Sequence, residues 1–160
     1  MLILNFCFSN LTTVSANKIS QVNVQRTKVC SWKKSQNINE SNTYFMYTNA
    51  SKWKSVEDFY CVLGHRFMSP FPKALSISDL KSMMKDLRWF PFSKKVVIFV
   101  YDLSKYKEKH KEAEEILELF EKDILPFWEG KDEKNSVITE DAKLLKCLRR
   151  QPQEIDFYYT

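Results

Sequence analysis

Lys94-Lys95-Val96-Val97-Ile98-Phe99-Val100-Tyr101-Asp102 is the stretch on which the fold turns. Its unbroken β-branched and aromatic run has neither the period of an amphipathic helix nor the alternation of a strand with one wet face. It predicts a strand buried on both faces, at the centre of a sheet that helices cover. Upstream, Leu80, Met83, Met84 and Leu87 recur at i, i+3, i+4 and i+7 and predict a helix from Ser78 to Trp89, ended by Pro91. Before it, Ser55 in the N-cap position and Gly64 just past the apolar stretch Val56–Leu63 predict a shorter helix, and Ser69-Pro70-Phe71-Pro72 breaks the chain between the two. Downstream, Ala113, Ile116, Leu117, Phe120 and Ile124 form one apolar stripe. A long helix is expected from a Ser104 cap to Leu125, with Pro126 as its stop.

The flanks are weaker in pattern. Val22 and Val24, then Cys30 and Trp32, then Tyr44 and Met46 alternate partially, and predict antiparallel strands over 20–32 and 43–49 joined by the polar link Lys33 to Asn42. Thr139 begins a last predicted helix carrying Ala142, Leu145 and Leu148, and Ile155-Asp156-Phe157-Tyr158-Tyr159 is expected to close as an edge strand. The order β-β-α-α-β-α-α-β predicts a single-domain α+β fold, a small mixed or antiparallel sheet with helices packed on at least one face. No internal repeat occurs. A polar, asparagine-rich segment of residues 1–50 gives way there to a strongly periodic main domain, 51–160.

Composition excludes several kinds of chemistry. The only two glycines, Gly64 and Gly130, stand 66 positions apart, so neither a P-loop nor a G-x-G-x-x-G dinucleotide turn can be written. VVIFVYDLSK, residues 96–105, resembles the central strand of small Ras-like GTPases, where a buried strand ends in Val-Tyr-Asp. That resemblance implies no nucleotide hydrolysis, because the phosphate loop is missing and no Asn-Lys-x-Asp follows. Cys7, Cys30, Cys61 and Cys147 include no C-x-x-C pair, and His65 and His110 are the only histidines. Zinc ribbons, thioredoxin-like sites and multi-histidine metal sites are therefore unsupported, and no metal or cofactor is expected.

The apolar stretch Leu2 to Phe8 and the small residues Val14-Ser15-Ala16 resemble a signal segment over residues 1–16, but no Lys or Arg precedes the apolar part. The cytoplasm is the expected compartment, with secretion as the alternative, and no membrane span is expected. The net charge of +5 divides unevenly: residues 1–100 hold 14 Lys/Arg against 5 Asp/Glu, and residues 101–160 hold 11 against 15. A basic part and an acidic part thus share one chain, each suited to a partner of the opposite sign.

Candidate sites are weighed against plain structural roles. Asp102 ends the central strand, where ligands gather in open α/β sheets, yet a turn or cap uses the same residue. Cys61 and His65 share a helical spacing, but Gly64 is expected to end the helix between them and no third residue orients the histidine. Glu57 and Asp58, adjacent in sequence, read as first-turn charges. Aromatic and basic residues interleave at Trp32-Lys33-Lys34, at Lys52-Trp53-Lys54 and from Arg88 and Trp89 to Lys94 and Lys95. Such stretches can stack on unpaired bases or anchor a protein interface. The expected function is non-enzymatic binding of a protein partner, in the manner of an immunity or inhibitor protein by analogy of architecture. Trp53, Arg88, Trp89, Lys94 and Lys95 form one candidate partner-binding surface, Glu114, Glu115 and Glu118 the other. Nucleic-acid binding through the basic and aromatic stretches of residues 1–100 is the alternative.

Overall fold

The computed structural model describes residues 17–38, 41–69, 76–86, 95–129 and 154–160. Among the described residues four strands, β1 (Ile19–Gln21), β2 (Thr43–Asn49), β3 (Lys95–Tyr101) and β4 (Glu154–Tyr159), form one sheet in the order β1-β4-β3-β2. The helices are α1 (Val29–Ser35), α2 (Val56–Arg66), α3 (Ile77–Asp86), α4 (Leu103–Lys109), α5 (Ala113–Leu119) and α6 (Leu125–Glu129). The mixed α/β fold with helices packed on a small sheet is as the sequence predicts. The sheet itself is a correction, for every neighbouring pair is parallel instead of mixed or antiparallel. Helices separate β2 from β3 and β3 from β4, and a helical crossover is what returns a chain to a parallel neighbour.

β3 is the central strand that its apolar run announces, with Val96 to Val100 all at 0% exposure. β4 lies beside it, not at an edge, because Ile155 to Tyr158 are buried as continuously as the residues of β3. β1 and β2 come from before residue 50 and β3 and β4 from after it, so one sheet spans the compositional change. The chain moves along the sheet in one direction from β2 to β3 to β4 and in the opposite direction from β1 to β2. Right-handed crossovers then place α1 on one face and the later helices on the other. Packing agrees. Phe59, Leu63, Leu80, Met84, Ile116 and Phe120 meet Val96, Ile98, Val100 and Phe157, whereas Val29 and Trp32 of α1 meet Val97, Phe99 and Tyr158.

Several elements depart from the sequence pattern for identifiable reasons. The strand expected over 20–32 is only three residues long, and α1 takes its second half. There Val29 and Trp32, three apart, turn inward while Cys30 is exposed, so the period is helical and the apparent alternation incidental. Gly64 does not end α2; it is buried within a helix that continues to Arg66. Ser76 and Asp79 form a capping box at the start of α3, the Ser76 N–H donating to Asp79 Oδ2 at 2.9 Å and the Asp79 N–H to Ser76 Oγ at 3.2 Å.

The long helix expected from Ser104 is divided. Lys105 and Lys109, and Lys107 and Lys111, are like-charge i, i+4 pairs that disfavour a continuous helix. The break falls at His110, where φ is −133° and ψ 95°, and the His110 ring stacks on Tyr106 at 4.2 Å. After α5 a π-helical turn, Phe120–Ile124, leads into α6. Pro126 thus follows directly on that wider turn, within a backbone that stays helical through Leu119, Phe120 and Leu125, and does not stop the helical run. The predicted helix from Thr139 lies outside the described residues.

Candidate partner-binding site

α5 buries Ala113, Ile116 and Leu117 and turns Glu114, Glu115 and Glu118 outward. Glu114 and Glu118 are one turn apart and share a stripe. Between this stripe and the β1–β4 edge of the sheet runs an open groove of about 290 Å³. Ile19, Leu117 and Tyr159 supply its apolar lining, and Glu114, Glu118 and Glu121 its carboxylates. Lys107 reaches Glu114 at 2.9 Å and Lys122 reaches Glu118 at 3.1 Å, all four side chains being well exposed. The hydrogen bond that Lys107 donates to the Glu114 carboxylate holds its ammonium above its ordinary value. Exposed pairs of this kind are worth little, so an incoming cation can displace either lysine at little cost.

The other expected surface residues are not brought to this groove. Glu115 does not line it; its charge acts on Tyr60, whose hydroxyl is pushed up to about 12 by burial first and then by the Glu115 and Glu57 charges. Trp53 is 8% exposed, its ring 5.1 Å from Phe59 and 5.4 Å from Tyr106, and its Nε1 donates to Thr48 Oγ1 at 3.3 Å. It is a core residue, and only the flanking Lys52 and Lys54 are exposed. Lys95 is engaged inside the fold: its Nζ lies 2.8 Å from Asp156 Oδ2, a carboxylate at 1% exposure, and 3.8 Å from Glu154. The Tyr158 hydroxyl donates to the same Asp156 oxygen at 3.3 Å. Arg88, Trp89 and Lys94 lie outside the described residues.

Asp102 follows β3 with φ 57° and ψ 24°, a left-handed conformation that aspartate tolerates better than most residues. Its Oδ1 takes Lys105 at 2.9 Å, and its N–H donates to Thr160 Oγ1 at 2.8 Å, which accounts for it as a turn residue. Cys61 and His65 lie on one continuous helix, the thiol half-buried and the imidazole exposed. Among the described residues no three His, Cys, Asp or Glu side chains are grouped to hold a metal ion, and no helix is long and apolar enough to cross a membrane.

Of the groove's residues, Lys107, Leu117, Glu121, Lys122, Ile19 and Tyr159 were not in the expected set, and for the last two the sequence held no signal. They meet because β1 pairs with β4, with Ile19 opposite Phe157 and Gln21 opposite Tyr159, and nothing local in either segment announces that pairing. Comparison with protein-family models, with curated proteins and with solved structures finds no match to this chain.

Proposed function

We propose that this chain is a non-enzymatic binding protein whose partner is a protein presenting lysine or arginine side chains to the α5 groove. The observation that carries the reading is the groove itself. An apolar lining of Ile19, Leu117 and Tyr159 is joined to three carboxylates, two of them paired with exposed lysines. Such a site takes the aliphatic stem of a basic side chain along the lining and its charge at the rim. The groove disfavours phosphate, since three carboxylates face two ammoniums there. A protein that binds and blocks its partner, as immunity and inhibitor proteins do, needs such a surface and no catalytic apparatus.

The test is affinity across a salt series for two probes, a lysine-rich peptide and an oligonucleotide, single- and double-stranded. The peptide binds, and Glu114→Lys/Glu118→Lys lowers its affinity about tenfold or more. Oligonucleotide binding with a steep log-log salt slope, unaffected by that double variant, favours the alternative, a nucleic-acid-binding protein using the basic stretches of residues 1–100.

A further inference from the structure

We infer that the outer edge of β2 is a docking site for an extended, acidic segment of a protein partner, which adds to the sheet as a fifth strand. In a parallel ladder, alternate residues of a strand turn their backbone groups to the same neighbour. The Lys95 N–H donates to the Asn42 carbonyl, and the register runs on from Tyr44 opposite Val96 to Asn49 opposite Tyr101, so the even-numbered residues of β2 serve β3. Thr43, Phe45 and Tyr47 therefore turn their N–H and C=O groups away from the sheet. Among the described residues, no backbone group outside the ladder bonds to them.

Sheet edges are ordinarily blunted by charge, proline, a bulge or shortness. β2 has none of these: seven residues, Thr43-Tyr44-Phe45-Met46-Tyr47-Thr48-Asn49, pair with β3 without interruption and include no charge and no proline. Their length of roughly 20 Å suits a full added strand. The opposite edge, β1, has only three residues.

Charge selects the occupant. Lys33 Nζ lies 5.0 Å over the Phe45 ring, and Arg26 faces the Tyr47 hydroxyl. Residues 26–38, which include α1, hold Arg26, Lys28, Lys33 and Lys34 and no Asp or Glu; Lys18 lies across the sheet over Tyr158. Asp102 also acts on Tyr47, but Lys105 holds its carboxylate at 2.9 Å. An acidic strand meets this field favourably and a basic one does not. A second copy of the chain fits poorly, because antiparallel pairing of two β2 edges about Met46 sets Phe45 against Tyr47 of the other copy. That brings Lys33 beside the other copy's Arg26, and like charges across a rung are destabilising. Nucleic acid matches the charge but offers no N–H and C=O groups at strand spacing, so the open ladder favours a polypeptide. The site is on the opposite edge from the α5 groove and stands whether or not that groove is used.

The test is selection of binders to the full chain from a random displayed peptide library. Enriched peptides carry net negative charge with alternating apolar residues, and bind Arg26→Glu/Lys33→Glu about tenfold or more weakly than the parent. Methylating alternate peptide nitrogens abolishes their binding. Tyr47→Pro removes an outward N–H, together with the ring stacked on Phe99, and abolishes it too; should that variant unfold, the methylated peptides read the same hydrogen bonds on the intact protein. The inference is overturned by an empty selection, by basic or uncharged winners, or by affinity that survives methylation. It is also overturned by a dimer that Tyr47→Pro dissolves, or by oligonucleotide binding that Arg26→Glu/Lys33→Glu abolishes when no acidic peptide competes.

Discussion

Asp156 shows what a single residue hides in a sequence. Set in Ile155-Asp156-Phe157, it has the place of an outward-facing polar residue on an edge strand, yet β4 is interior and the carboxylate is 1% exposed. Lys95 compensates it from the neighbouring strand, 2.8 Å away. Lys95→Met leaves a buried carboxylate without its cation and is expected to cost about 3 kcal/mol by urea unfolding. Adding Asp156→Leu should recover most of that loss; no recovery means the pair is not the source. Tyr158 extends the argument to pH. Burial first, then the Asp156 charge, pushes its hydroxyl up to about 12. Above pH 10 the unfolded chain loses a proton that the folded chain keeps, so stability falls as pH rises from 10 and this contribution is lost through about 12. Absorbance of ionised tyrosine, followed beside circular dichroism, should show Tyr158 titrating with alkaline unfolding. Titration near 10 in the folded protein contradicts it.

Elements were legible where periodicity was strong. β3, β2 over 43–49, α2 and α3 stand close to where alternation and apolar spacing put them. The misplaced elements share one cause: an apolar residue reports that a position is buried, not which partner buries it. Trp53, between two lysines, had the pattern of an exposed anchor, but the 3-10 turn Ala50–Lys52 and the start of α2 carry its ring onto Phe59. Trp53→Ala is therefore expected to lose about 3–5 kcal/mol of stability in urea unfolding, as core aromatics do. A small loss with weakened partner binding places it on the surface instead. The turn at Phe120–Ile124 was illegible, since π-helical hydrogen bonding leaves no mark on an apolar stripe. Because Pro126 follows directly on that wider turn, Pro126→Ala should change stability by less than about 1 kcal/mol in thermal unfolding. A gain of several times that identifies the proline as strained.

For the whole molecule, the mild net charge of +5 conceals two surfaces of opposite sign. Arg26 and Lys33 lie beside the β2 edge, and the carboxylates of α5 beside the groove at the β1 edge, with the full width of the sheet between them. The split was readable from residue counts, but its geometry was not, because both halves of the chain contribute strands to one sheet. Charge alone placed Glu114, Glu115 and Glu118 together; the structure keeps the first and third at the groove and supplies its apolar half from Leu117 of α5 and from strands at the two ends of the described chain. The central claim is that a basic protein partner is held there. Chemical-shift mapping of the full chain with a lysine-rich peptide tests it most directly. The predicted result is a contiguous set of shifted amides at Ile19, Glu114, Leu117, Glu118 and Tyr159, lost in Glu114→Lys/Glu118→Lys. Shifts confined to other surfaces, or unchanged by that substitution, contradict it.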